Sequence, residues 1–247
     1  MSIVLHAEFA DLLKKYDHFY DFSLFKECHV DGLTLEGKLF NQLFKNVFSI
    51  GVDCELGFLQ EYYLDKRSYL TKFATMDRQL LTDYLNICEP TLFANGVEFK
   101  KFGTTDELFI YDDHLKFRGH TKIYDGSHNI DELKILFEKQ NKHYKYLERI
   151  FLENFKKSIS LYVFKSYTPL LTGHLSRYQD IKTNNYFLHI LDADDNTYSV
   201  EFGELIRVSD NVFLSRIDRR NNGVNIKDTS LNCWKMIIYN MFSLLVE

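Results

Sequence analysis

The chain has 247 residues, 45% of them hydrophobic, so it can bury a substantial core and is not a disordered protein. Its net charge of −5 and pI near 6.0 argue against general nucleic-acid binding, which needs a basic surface. No apolar run reaches the roughly 18 residues of a spanning helix, and the N-terminus lacks the regions of a signal peptide. Four scattered cysteines without a C-x-x-C pair indicate reduced thiols and a cytoplasmic protein.

The first part of the chain predicts helices around one short buried strand. Residues 7–27 carry aromatic and leucine side chains at helical spacing, which predicts a leading amphipathic helix. The apolar run at 46–50 predicts a strand that Gly51 ends. A helix is predicted from about 54 to 64, and another over Arg78–Cys88, which stops before a proline.

Between residues 92 and 124 the hydrophobic period changes to that of strands. Turn dipeptides separate the strands, so this stretch predicts an inserted antiparallel meander. The predicted strands are Val97–Phe102, Leu108–Tyr111 and Leu115–Arg118. A long helix over Asp131–Lys157, capped by Asn129 or Asp131, is predicted to follow.

The last part of the chain predicts a β-α-β unit, which requires parallel pairing of its strands. The predicted elements are strands at Ile159–Phe164 and Tyr186–Leu191 around a helix over 169–180, further strands at Ser199–Phe202 and Val212–Ile217, and a final helix from Asp228 or Thr229. We therefore predict one α/β domain over residues 1–247, with a mixed sheet, flanking helices and the meander at 92–124 as an insertion.

Cys54 is the first candidate for chemistry, because it follows a buried strand and lies at a predicted helix start. Unpaired N–H groups and the positive end of the helix dipole favour an anion there. A thiolate is such an anion, so the position lowers a cysteine pKa and raises its reactivity. A small buried cysteine next to a hydrophobic strand is the simpler interpretation of the same residue.

A cysteine nucleophile also needs a base and a group that orients the base. His120 is the best placed of the nine histidines, because it ends a predicted strand in the meander that follows the cysteine helix. His114 is its rival, in a predicted hairpin turn. Asp228 is the first choice for the orienting acid and Asp192 the second, and spacing does not choose between them.

Asp192 and Asp194 form a second constellation, directly after the strand predicted at Tyr186–Leu191. Carboxylates in this position suit Mg²⁺ or Mn²⁺, and an Asp-x-Asp holds metal and diphosphate in many nucleotide-sugar glycosyltransferases. An acidic turn between two strands explains the same residues. A third cluster, at 216–220, places three arginines beside one aspartate; it could receive a phosphate or carboxylate, but such a cluster is more often a solvated loop with an internal ion pair.

The run from Phe48 to Gly57 resembles the S-L-G-x-x-C-E opening of uncharacterised bacterial proteins. These proteins are related to a domain-of-unknown-function family that is predicted to contain papain-like cysteine peptidases. Looser matches elsewhere extend the resemblance over about residues 46–240: Leu70–Ala74, Gly119–Thr121, Ile217–Arg219, and Asp228 with Trp234. Lys72 stands where the family has arginine, and Gly119 where it has an aromatic residue.

The resemblance implies that Cys54 is the nucleophile and His120 the base, and that the protein takes part in bacterial surface-glycan assembly. We therefore expect a cysteine-dependent hydrolase or acyl-type transferase that needs no cofactor and acts on a peptide, glycan or small molecule. Asp228 is predicted to orient the imidazole, and Glu55 and Arg219 to contact the substrate. The alternatives are a Mn²⁺- or Mg²⁺-dependent nucleotide-sugar glycosyltransferase and a non-catalytic partner in glycan assembly.

Overall fold

A computed structural model describes the greater part of the chain. The described residues are 29–30, 33–34, 40–41, 43–51, 55–62, 69–72, 74–94, 97–157, 159–165, 170, 172–218 and 231–246. Helices and strands are interspersed among them, with both parallel and antiparallel pairing, so the predicted α/β class is confirmed. The helix predicted over 7–27 and the start predicted for the final helix lie outside the described residues.

The described helices are α1 Glu55–Tyr62, α2 Arg78–Ile87, α3 Ile130–Lys157, α4 Thr172–Gln179 and α5 Leu231–Val246. The described strands are β1 His29–Val30, β2 Leu33–Thr34, β3 Val47–Ser49, β4 Ala74–Thr75, β5 Glu98–Lys100, β6 Phe109–Asp112, β7 Phe117–Gly119, β8 Leu161–Lys165, β9 Tyr186–Leu191, β10 Leu205–Arg207 and β11 Val212–Arg216. β1 and β2 pair antiparallel as a separate two-stranded sheet.

A five-stranded sheet forms the centre of the fold, in the order β10-β11-β9-β8-β3. β3, β8, β9 and β11 are mutually parallel, and β10 pairs antiparallel with β11 at one edge. All five residues of β8 are buried, as expected for a parallel strand covered on both faces. The predicted β-α-β unit is therefore confirmed as β8-α4-β9.

Each face of this sheet buries its own apolar cluster. One cluster joins the sheet to α2, α3, α4 and the meander through side chains such as Tyr162, Phe164 and Phe187. The other cluster joins it to α1 and α5, where Trp234 is fully buried. Because side chains alternate along a strand, Leu161 and Val163 of β8 face α1 and α5 while Tyr162 and Phe164 face the opposite layer.

The meander is a four-stranded antiparallel sheet in the order β4-β7-β6-β5. Three of its strands were predicted, but β4 was missed, because its two residues are too few to show a period. The sheet packs closely on α3, where a Cβ on Gly119 would collide with the ring of Tyr144. Asn129 is the cap of α3, since its Oδ1 accepts from the amides of Asp131 at 3.1 Å and Glu132 at 3.0 Å.

The strand predicted at Ser199–Phe202 is wrong. Phe202 makes one isolated bridge to Arg216, and the strand that pairs antiparallel with β11 is β10, over Leu205–Arg207. Gly203 has a φ of +77°, a left-handed conformation that turns the chain between the bridge and β10. The strand therefore lies after the turn at Gly203, whereas the apolar alternation predicts it before that turn.

Gly51 provides a test of the packing between β3 and β8. A Cβ on Gly51 would overlap the backbone oxygen of Lys165, so Gly51→Ala must displace backbone atoms of β8. We expect Gly51→Ala to lower the free energy of unfolding by about 2 kcal/mol or more in a urea titration. Gly173→Ala is the matched control, because Gly173 has open space around it and should change stability by less than about 1 kcal/mol. Equal effects of the two substitutions would contradict this packing.

Candidate functional site

The carboxyl ends of the four parallel strands meet at one edge of the central sheet, which is where open α/β sheets usually bind ligands. Lys165 is the last residue of β8, Asp192 follows β9, and Glu55 opens α1, the helix after β3. We call these three residues the edge cluster. Lys165 continues the alternation of Leu161 and Val163, so its side chain lies on the α1 and α5 side of the sheet.

The edge cluster is a buried salt-bridge network. Lys165 Nζ donates to Glu55 Oε2 at 2.5 Å and lies 4.0 Å from Asp192 Oδ1. The exposed fractions of the three side chains are 0% for Glu55, 3% for Lys165 and 8% for Asp192. Buried charges persist only when they are paired, so Glu55 and Lys165 each require the other to remain in place. The pair joins the first residue of α1 to the carboxyl end of β8.

Polar side chains also fix α1 to the outer side of β3, which is an edge strand of the sheet. Gln60 of α1 donates to the carbonyl of Val47 at 3.0 Å and accepts from the Tyr69 hydroxyl at 2.5 Å. The Ser49 amide donates to that hydroxyl at 3.0 Å, and its carbonyl accepts from the Thr71 hydroxyl. Side chains therefore supply hydrogen-bond partners for backbone groups of β3 that face away from the sheet. Gln60 thereby joins α1 to β3, just as Glu55 joins α1 to β8.

Three of the predicted site residues, Cys54, Asp228 and Arg219, lie outside the described residues, so their roles stay predictions. Cys54 is the chain neighbour of Glu55, the first residue of α1. Glu55 was predicted to contact the substrate, and that role also stays a prediction. Its fully buried carboxylate has an internal partner in Lys165.

The pKa values of Cys88 and Cys233 are shifted in the direction opposite to the one predicted for Cys54. Burial raises the pKa of the Cys88 thiol, and it raises the pKa of Cys233 to about 11. Cys233 lies at the start of α5 and donates from Sγ to the carbonyl of Arg216 at 3.2 Å. Both thiols are therefore protonated and slow to react at neutral pH, which makes them internal references for Cys54.

His120 follows β7 and is oriented by a carboxylate that the sequence analysis did not identify. Its Nδ1 lies 2.8 Å from Glu107 Oε2, and the other oxygen of Glu107 accepts from the amides of Thr121 at 3.0 Å and Lys122 at 2.8 Å. A carboxylate only accepts, so Nδ1 donates to Glu107, and Nε2 is the ring nitrogen that is left to exchange a proton. The His120 side chain is 42% exposed.

Glu107 and His120 were not paired in the sequence analysis because the register of the meander, rather than local spacing, brings them together. Within the described part of the chain, no hydrogen bond, ion pair or ring contact joins His120 to the edge cluster. The rival histidine, His114, is exposed in the turn between β6 and β7. His120 is therefore oriented within the meander, and the group that orients it there is Glu107.

Asp192 and Asp194 lie in different environments, although only one residue separates them. Asp192 is buried beside Lys165, whereas Asp194 is exposed in the turn after β9. Asp195 holds this turn by accepting from the amides of Leu170 at 3.0 Å and Thr197 at 2.9 Å. Among the described residues, no group of three or more His, Cys, Asp and Glu side chains is arranged to hold a metal ion.

The opposite face of the same sheet edge carries a buried histidine, His189 of β9. Its ring packs against Tyr178 at 4.4 Å and Phe164 at 5.5 Å between centroids, and among the described residues neither ring nitrogen has a hydrogen-bond partner. Burial, together with the charge of Arg78, lowers the pKa of His189 from 6.5 to about 3. Arg78 Nη1 lies 2.7 Å from His174 Nδ1, and because arginine only donates, His174 accepts there.

Comparisons of the chain with protein-family models, with curated proteins and with solved structures found no match. The resemblance to the predicted papain-like peptidases therefore stays a hypothesis that depends on the residues named above. Within the described part of the chain, no helix combines the length and apolar character needed to cross a membrane.

His189 makes stability depend on pH in a predictable direction. Its pKa in the folded chain lies below its ordinary 6.5, so between about 3 and 6.5 the unfolded chain binds the proton more readily. The stabilising contribution is complete above that range and is lost as pH falls through it. We expect a loss of about 2 kcal/mol in the free energy of unfolding between about pH 7 and about pH 5.

His189→Phe should remove most of this acid sensitivity in urea titrations at both pH values, because phenylalanine fits an aromatic environment and does not titrate. The matched control is His114→Phe, which changes an exposed histidine and should leave the pH dependence unchanged. A His189→Phe chain with the same acid sensitivity as the unaltered chain would contradict the assignment.

Proposed function

We propose that the chain is a cysteine-nucleophile hydrolase or acyl-type transferase. The observation that supports this most strongly is the position of the first residue of α1 at the carboxyl edge of the parallel strands. Cys54 immediately precedes the first residue of α1 in the chain, and that residue, Glu55, is held there by Lys165. The first amides of any helix have no partner inside the helix, so a helix start favours an anion.

The proposed reaction uses the Cys54 thiolate to attack the carbonyl carbon of an ester, thioester or amide. His120 takes the thiol proton on Nε2 and later gives it to the leaving group, while amides at the start of α1 bind the oxyanion. The acyl group, now on sulfur, passes to water in hydrolysis or to another hydroxyl or amine in transfer. His120, neutral again once the leaving group is protonated, takes a proton from this second acceptor as it attacks and returns that proton to the Cys54 sulfur when the sulfur–acyl bond breaks.

Glu107 supports the proposed role of His120. Its carboxylate contacts the protonated Nδ1 and is fixed by two backbone amides, which is the arrangement that keeps a general base in one tautomer and stabilises the imidazolium. We therefore propose Glu107 as the orienting acid in place of Asp228, which remains the choice from sequence alone. A role in bacterial surface-glycan assembly rests on the resemblance and is part of the same proposal.

The proposal predicts a reactive Cys54. Treatment with iodoacetamide at about pH 6 should modify Cys54 at least tenfold faster than Cys88 and Cys233, roughly the ratio that a pKa lowered by one unit or more produces. Cys88 and Cys233 serve as references in the same sample, because burial raises the pKa of both thiols. Peptide mass spectrometry would measure the three rates separately.

A matched pair of variants then tests the base. His120→Gln should slow the modification of Cys54, because the imidazolium that stabilises the thiolate is lost, whereas His114→Gln should not. Reaction of Cys54 no faster than a simple thiol such as glutathione would contradict the proposal. A Mn²⁺-dependent rise in melting temperature with a nucleotide-sugar would instead select the glycosyltransferase that uses Asp192 and Asp194.

A further inference from the structure

A cavity of about 670 Å³ lies at the amino edge of the central sheet, the edge opposite the one that carries the edge cluster. Its walls come from the last turns of α2 and α3 and from residues 180–184, the segment that leads into β9. Cavities of this size commonly hold small molecules in proteins. None of the residues proposed for the cysteine chemistry lines it, so the inference does not depend on the proposed function.

The cavity combines an apolar floor with a cationic rim. Leu85, Phe155 and Ile181 are buried and form the apolar part. Three exposed lysines stand around it, namely Lys156, Lys157 and Lys182, and Asp180 is the acid among the lining residues. The lining therefore carries a positive balance beside an apolar surface.

Two of these lysines are available to a ligand. Lys157 Nζ lies 3.8 Å from Glu153 Oε2, whereas neither Lys156 nor Lys182 forms an ion pair within the described part of the chain. Lysines in the last turn of α3 offset the negative end of its dipole, which accounts for Lys156 and Lys157 without a ligand. That explanation does not extend to Lys182, which belongs to no helix.

A buried amide fixes the walls of the cavity relative to one another. Asn185, 1% exposed, accepts from the Ser160 amide at 3.0 Å and donates to the Phe155 carbonyl at 2.7 Å and to the Thr183 hydroxyl at 2.7 Å. One side chain thus ties the end of α3 and the starts of β8 and β9 together. The cavity is therefore preformed, which reduces the ordering cost of binding.

From the charge and shape of this cavity we infer that it binds a small amphipathic acid. The carboxylate or phosphate of the ligand lies between Lys156 and Lys182, and its apolar body lies on Leu85, Phe155 and Ile181. Cys88 also lines the cavity, half-buried at the end of α2, so a ligand there covers its thiol.

Calorimetric titration of the whole chain with octanoate, octyl phosphate and octanol tests this assignment. Octanoate or octyl phosphate should bind at one site, and the stronger of the two identifies the acid group. Octanol has the same alkyl chain without the charge and should bind at least roughly tenfold more weakly. The better acid should also slow the alkylation of Cys88 without changing that of Cys233.

Matched double variants identify the cations. Lys156→Gln with Lys182→Gln should weaken binding of the better acid by roughly tenfold or more, because both charge-assisted hydrogen bonds are lost. Lys139→Gln with Lys142→Gln removes two exposed lysines of α3 that do not line the cavity and should leave the affinity unchanged. The assignment is overturned by no binding of either acid, by equal binding of octanol, or by equal losses in the two double variants.

Discussion

The contact between Lys165 and Glu55 is the constraint on which the account of this protein depends. A lysine at the end of a fully buried strand would be costly alone, and it is stabilised by a carboxylate 110 residues earlier in the chain. The contact fixes where α1 begins relative to β8, and Gly51 allows β3 to approach the same point of β8. The first residue of α1, next to Cys54 in the chain, is therefore tied to the central sheet by a buried contact.

The two edges of the central sheet have different chemistry. The carboxyl edge holds buried charges in a salt-bridge network, together with a buried histidine on its other face. The amino edge holds a preformed cavity with an apolar floor and lysines at its rim. Nucleophilic chemistry and ligand binding are thus proposed at separate places, so each proposal can fail without the other.

Much of the secondary structure could be predicted because apolar periodicity and end signals are local. Tyr186–Leu191 was predicted with the bounds that the structure shows, and the strand before Gly51 and the helix after it were also predicted. Short or irregular elements carried no such signal: β4 has two residues, and the left-handed Gly203 shifted the strand expected at Ser199–Phe202 to β10.

The polar contacts of the site could not be predicted, because each depends on residues distant in the chain. The predicted strand ends before Lys165, because lysines are usually exposed to solvent. Local sequence does not identify Glu55 as the buried partner that allows Lys165 to be buried. Glu107 reaches His120 only through the register of the meander. The cavity is likewise formed by helix ends that meet only in the folded chain.

A double-mutant cycle on the Glu55–Lys165 contact tests the central claim most directly, with the free energy of unfolding measured in urea. We expect Glu55→Gln and Lys165→Met each to cost about 3 kcal/mol, because each breaks this buried ion pair and leaves the other charge of the pair buried. The double variant should then cost much less than the sum of the two, which is the sign of a direct interaction. Two small effects that simply add would contradict the contact and, with it, the attachment of the start of α1 to β8.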